Sequence, residues 1–230
     1  MPPLNVLYED NHLLVVNKPA EIATQGAAAG QTSLAEVVKE YLKQKYNKPG
    51  NVYLGIVSRI DALVTGAIVF ARTSKAAARL SEQFRERRVR KIYWAVVRDR
   101  LEDESGEFVD WMRKKESHRR MVTCEESHPD KQIARLSYRT LQALTHADGE
   151  ELRLVEVTLG TGRKHQIRVQ FASRKCAIIG DKKYRSGQSF PKGIALHSRE
   201  LEFEHPTSKE RMTFVAELPA SWAKLGIRKT

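Results

Sequence analysis

Cysteine is scarce in this sequence: Cys124 and Cys176 are the only two in 230 residues. They are too few for a disulfide framework and too far apart for a local metal clip, so free thiols in a reducing compartment are expected. Long apolar runs are missing as well. Nothing approaches the roughly 20 residues that cross a bilayer, so no membrane association is expected. The opening Met1-Pro2-Pro3-Leu4-Asn5 lacks the basic and apolar regions of a secretion signal, so together with the thiols a cytoplasmic location is expected. Neither His197 nor His205 stands at ligand spacing from the other or from a cysteine, and no His-Glu-x-x-His occurs, so no metal is expected. A Gly-x-Ser-x-Gly elbow and a phosphate loop ending in Gly-Lys-Ser/Thr are also lacking, which argues against a small-nucleotide enzyme. There is no internal repeat and no low-complexity segment.

Acidic residues are outnumbered. Against 28 Asp and Glu stand 40 Lys and Arg, for a formal charge of +12 and a sequence pI near 9.8. The surplus is clustered: Arg85, Arg87, Arg88, Arg90 and Lys91; then Arg113, Lys114, Lys115, Arg119 and Arg120; then Arg174, Lys175, Lys182, Lys183 and Arg185. A solvated basic surface is the plain reading of such charge. Clustering favours a polyanion, because neutralised phosphates release condensed counterions, and nucleic acid is the expected partner. At this size, one domain or two small, closely packed subdomains are expected.

The apolar pattern sets the coarse elements. His12–Val16 reads as a strand stopped by Asn17-Lys18-Pro19. Ser33 and Glu36 form a capping-box signature before Leu34, Val37, Val38, Tyr41 and Leu42 at helical spacing, broken at Asn47-Lys48-Pro49-Gly50. Strands are expected over Val52–Val57 and Ala67–Ala71, then a helix capped by Ser74 with Ala77, Leu80 and Phe84 on its apolar face. The strand Ile92–Val97 follows. Residues 102–131 are polar, show no period, and read as a surface excursion. Strands return at Ile133–Leu141, Leu152–Leu159, Leu201–Glu204 and Met212–Val215, with a short helix over His165–Ala172. Strands come in runs rather than alternating with helices. The fold class is therefore α+β, a mixed, largely antiparallel sheet flanked by helices.

Two short stretches carry chemistry. In Ser58-Arg59-Ile60-Asp61-Ala62-Leu63-Val64-Thr65-Gly66 an Arg and an Asp sit two apart, between one apolar segment and the next. From spacing alone, a pair that closes a turn is the better reading, ahead of a catalytic element. Gly160-Thr161-Gly162-Arg163-Lys164-His165-Gln166-Ile167-Arg168 is no dinucleotide loop, since the third glycine and a βαβ unit are missing. A glycine turn entering a helix does present N–H groups to an anion, and Arg163, Lys164 and Arg168 add charge suited to phosphate or carboxylate. Tyr93, in the basic Arg90-Lys91-Ile92-Tyr93, reads either as a core aromatic or as a base-stacking platform.

In this order the motifs resemble those of the RluA family of pseudouridine synthases, over nearly the whole chain. Val6 to Pro19 is similar to the family's opening strand, and Arg59-Ile60-Asp61 with Thr65-Gly66 to its catalytic Arg-Leu-Asp…Ser-Gly element. Lys91-Ile92-Tyr93 resembles its Lys-x-Tyr strand and Gly162–Val169 its Gly-Arg-x-His-Gln-Leu/Ile-Arg helix; Gly180-Asp181-Lys182-Lys183-Tyr184 and Leu196-His197…His205-Pro206 resemble its closing segments. The resemblance implies two subdomains around a central RNA-binding cleft, with uridine isomerised to pseudouridine in ribosomal or transfer RNA. Asp61, Tyr93 and Arg168 would be catalytic. Asp61 would be the essential carboxylate, attacking sugar or ring; Arg168 would pair with it; Tyr93 would stack on the uracil. Arg59 would fill the space left by a flipped base, and Arg163 and Lys164 would hold substrate. No cofactor is implied, and a monomer is expected. The S4-type RNA-binding module of larger members is expected to be missing, leaving recognition to the catalytic domain. Ser58, Val64 and Gln170 depart from the family pattern and bear on substrate choice and loop geometry. The rival reading is an RNA-binding or assembly protein that keeps the fold without turnover.

Overall fold

The computed structural model describes residues 4–27, 30–118, 120–146 and 148–227. Of the basic residues singled out above, Arg119 lies outside the described residues. In chain order the first half holds β1 (Val6–Glu9), β2 (Leu13–Lys18), α1 (Leu34–Lys45), β3 (Thr65–Ala71), α2 (Ser74–Arg85), β4 (Arg90–Arg98) and β5 (Ser105–Lys115). The second half holds β6 (Arg120–Cys124), β7 (Gln132–Thr145), β8 (Glu151–Leu159), α3 (Gln166–Ser173), β9 (Leu196–Glu204) and β10 (Arg211–Val215). The expected α+β class is the one observed.

Local chemistry explains the helix starts. The capping box forms: the Ser33 hydroxyl accepts the Glu36 N–H at 3.4 Å and the Glu36 carboxylate accepts the Ser33 N–H at 2.7 Å. The first turn of α1 thus has two of its unpaired donors met. Its inward stripe is Leu34, Ala35, Val38 and Leu42. α2 is capped one residue earlier than expected, because Thr73 is extended (φ −134°, ψ 153°) and its hydroxyl accepts from the Ala76 N–H. α3 begins one residue late, because His165 takes a left-handed φ of 55°.

The chain forms two compact units, Met1–Lys91 with Ser198–Pro219, and Ile92–His197 with Ala220–Thr230. It passes from the first to the second within β4 and returns within β9. In the first unit the strand order is β1-β2-β3-β9, with β10 paired to β9. Alternation gives this sheet two apolar faces. Leu13, Val15, Ala67, Val69 and Ala71 pack with Ala76 and Leu80 of α2 and with Phe203 and Phe214. Leu14, Val16, Ile68 and Phe70 point the other way and are equally buried. In the second unit the order is β4-β8-β7-β5-β6, every neighbouring pair antiparallel. α3 shares a core there with Met112 of β5, Met121 of β6 and Ala134 of β7.

Two expectations fail. No strand forms over Val52–Val57; only Gly55 pairs, in both directions, with Ala71. The edges of β3 are taken by β2 and β9, which leaves one ladder position at its end. The supposed excursion over 102–131 is instead a hairpin of β5 and β6, paired from Trp111↔Cys124 to Lys115↔Arg120. Its period was masked because an acid, Asp110, occupies an inward position between Phe108 and Met112, where Arg174 neutralises it at 2.9 Å.

Candidate active site

The loop bearing Asp61 is held on both sides by groups from the end of β2 and the loop after it. The Thr24 hydroxyl donates to the Ile60 carbonyl at 2.8 Å and accepts the Ile60 N–H at 3.1 Å. The Ala62 carbonyl accepts the Glu21 N–H at 2.7 Å and the Lys18 ammonium at 3.1 Å. Asp61 sits between these fixed points, and its own carbonyl closes a turn by accepting the Val64 N–H at 3.1 Å. The side chain is half-buried, while Arg59 is exposed. Beyond the turn, Gly66 has φ 115°, and a Cβ there would lie 2.2 Å from the Ser198 carbonyl oxygen, so only glycine lets β3 start where it does.

Lys18 is the least expected member of this group. It ends β2 with 0% of its surface exposed, and its ammonium also donates to the carbonyls of Pro19 at 2.8 Å and Ile22 at 2.9 Å. Three carbonyl acceptors match the three N–H of a protonated amine. Burial pushes its pKa down from 10.5 to about 7, against which the negative charge of Asp61 acts to raise it. A cation is thus placed within electrostatic reach of the Asp61 carboxylate.

Within the second unit lie Arg168, Tyr93, Arg163 and Lys164. Arg168 projects from α3 into a bidentate pair with Asp181, Nε to Oδ2 and Nη2 to Oδ1, both 2.7 Å. The two side chains are 3% and 0% exposed. The guanidinium carbon lies 5.0 Å from the centroid of the Tyr184 ring, and the Tyr184 hydroxyl accepts the Met121 N–H at 3.2 Å and meets His165 Nδ1 at 2.8 Å. The turn before α3 is tied to β7 as firmly: the Thr161 hydroxyl accepts the Arg135 N–H, and Gln166 accepts the Arg163 N–H and donates to the Arg135 carbonyl. Arg163 is half-buried and donates Nε–H to the Ile133 carbonyl at 3.0 Å, whereas Lys164 is exposed. Tyr93 lies on β4 opposite Val157, half-buried. Gln170, at a position where the family pattern has His, is buried and donates to Asp110 at 2.7 Å, a structural contact between α3 and β5. Among the described residues no three His, Cys, Asp or Glu side chains gather as a metal would need.

A profile of the RNA pseudouridylate synthase family matches residues 12–173, a span that includes the Asp61 turn, Tyr93 and Arg168. This chain belongs to the RNA pseudouridine synthase family. Synthases of this family are isomerases acting on RNA. The chain is 34% identical to the uncharacterized RNA pseudouridine synthase YhcT of Bacillus subtilis, over 96% of this chain and 71% of that one. It is 30% identical to the dual-specificity RNA pseudouridine synthase RluA of Haemophilus influenzae, over 94% of each. Among solved structures it resembles human RNA pseudouridylate synthase domain containing 4, with a TM-score of 0.77 at 25% identity, over 96% of this chain and 93% of that one.

Within the synthase, sequence reasoning reached Asp61 but not the residues that hold it. Lys18 registered only as the stop of a strand, although a lysine closing a fully apolar run is itself a signal of a satisfied buried charge. Thr24 carries no local signature, because its partner Ile60 is distant in sequence; Asp181, Tyr184 and Gln166 fall within the family's motifs, but their contacts with Arg168, Met121 and Arg135 were not readable there.

Proposed function

We propose that this synthase isomerises specific uridines of ribosomal or transfer RNA to pseudouridine, flipping the base and using Asp61 as the essential carboxylate. The observation that carries the reading is the turn itself: Thr24 fixes the residue before Asp61 and Lys18 with Glu21 fixes the residue after it. A carboxylate on so constrained a backbone is preorganised for attack on the sugar or the pyrimidine ring, and a buried ammonium beside it favours its charged form. Arg168 is proposed to form an ion pair with Asp61. Tyr93 is assigned to stacking on the uracil, Arg59 to the gap left in the RNA, and Arg163 and Lys164 to the phosphates near the target. Flipping costs a few kcal/mol, which these contacts offset. The protein is assigned to the cytoplasm, acting as a monomer.

Asp61→Asn tests the reading. It is expected to abolish pseudouridine formation, scored by tritium release from 5-tritiated uridine in RNA, while RNA affinity stays within about threefold, since one charge at the reacting atom adds little to phosphate binding. Retained turnover would overturn the assignment. Mapping pseudouridines in cells with and without the gene identifies the RNA and the position.

A further inference from the structure

Strands β7, β5 and β6 lie side by side, and alternate residues face opposite ways. Met112, Met121 and Ala134 face α3. The intervening residues therefore make a second face, pointing away from α3. Trp111 stands at its centre, half-buried, with Cys124 opposite it on β6 and Ile133 opposite it on β7. Along β5 follow Arg113 and Lys115, with Arg120 opposite Lys115 and Arg135 opposite the exposed Val109. The Lys131 ammonium lies 5.4 Å from the centroid of the Trp111 ring.

These five cations are distinguished by what they lack. Lys114, pointing the other way, pairs with Glu116, and Arg139 pairs with Glu156, yet none of Arg113, Lys115, Arg120, Lys131 and Arg135 is in an ion pair among the described residues. Arg120 Nε is buried without a hydrogen-bond partner. The basic run after α2 behaves differently: Arg88 pairs with Glu86, and Arg90 with Glu200 and Glu202. A solvated face accounts for charges that reach water. It does not account for an indole set among them.

We propose that this face binds single-stranded RNA flanking the target uridine, one base stacking on Trp111 while Arg113, Lys115 and Arg120 contact phosphates. An aromatic platform amid cations on a sheet is the arrangement that holds single strands without reading their sequence. A folded protein partner fits less well: Trp and Arg suit such interfaces, but five like charges held close together call for a densely anionic partner. The proposal rests on RNA being the substrate.

The test uses the full chain, a short fluorescein-labelled oligouridylate, and two variants. One is Arg113→Gln with Lys115→Gln, surface changes that leave the α3 core intact; the other is Trp111→Ala. Each is expected to weaken binding about tenfold. The double variant should also reduce the slope of log affinity against log salt by roughly 1.4, the value for two phosphate contacts on a single strand. Ultraviolet crosslinking of the unaltered protein should mark the peptide containing Trp111. On a substrate RNA, KM should rise with kcat retained. Unaltered affinity and salt slope in the double variant, or crosslinks confined to other peptides, would overturn the proposal, as would variants that bind RNA normally but lose a co-purifying protein. Binding and crosslinking do not require turnover, so failure of the Asp61 reading would be visible separately.

Discussion

Lys18 shows how a residue outside the reaction can decide whether the site exists. Its three carbonyl partners lie at Pro19, Ile22 and Ala62, so one ammonium joins the end of β2 to the loop after it and to the residue following Asp61. Lys18→Met keeps the length and removes the donors, leaving buried acceptors that cost about 1–3 kcal/mol each. The expected result is a loss of about 3 kcal/mol or more in urea unfolding, together with a fall in kcat larger than any change in RNA affinity. An unaltered unfolding midpoint would mean that the carbonyls find other donors. Asp181 has the same standing in the second unit. Asp181→Asn removes the charge from a fully buried pair, and breaking such a pair costs about 3–5 kcal/mol because the Arg168 guanidinium loses its bidentate carboxylate. The measurement is thermal unfolding, and a change below about 1 kcal/mol would contradict the account.

At the scale of elements, α1 is fastened to β1 through one carboxylate. Glu9 accepts from Tyr41 and Lys45 at 2.7 Å, from Tyr46 at 2.6 Å and from Arg72 at 3.1 Å. Burial acts to raise its pKa, but the hydrogen bonds from Lys45, Tyr46 and Tyr41 outweigh it and hold the group below the ordinary 4.5. The folded state therefore binds fewer protons than the unfolded chain near that pH. The stabilisation is fully present above 4.5 and is lost as pH falls through the lower folded value. Glu9→Gln is expected to lower stability by about 1–3 kcal/mol at neutral pH and to flatten the decline of Tm below pH 4.5; parallel Tm curves would refute it. Legibility in the sequence followed the same division between local and distant causes. The capping box of α1 was readable because all of its atoms lie within four residues. The β5–β6 hairpin was not, because Asp110 looks like a surface residue until Arg174 is placed beside it. The failed strand at Val52–Val57 has the right composition but no free edge to pair with. Asp61, Tyr93 and Arg168 were legible as a family pattern; that Lys18 and Thr24 grip the Asp61 turn, and Asp181 the Arg168 guanidinium, was not.

Over the whole molecule, a charge of +12 is distributed unequally between compensated and uncompensated regions. Arg88 and Arg90 spend their charge on Glu86, Glu200 and Glu202, and Arg211 joins Glu202. Replacing Arg87, Arg88 and Arg90 with Gln is therefore expected to change the salt slope of RNA binding by less than about 1, well short of the roughly 2 that three phosphate contacts on a single strand would give. A change of 2 or more would show that those carboxylates release their partners to RNA. The net charge of a sequence overstates the charge on offer. Strand β6 adds a mechanical consequence. Arg120 and Met121 leave it on opposite sides, the first toward the outer basic face, the second into the core, where its backbone amide holds the Tyr184 hydroxyl. The Arg168 guanidinium rests on that same tyrosine ring. Any tug transmitted along β6 from a strand of RNA gripped outside is felt, one hydrogen bond later, by the cushion beneath that guanidinium.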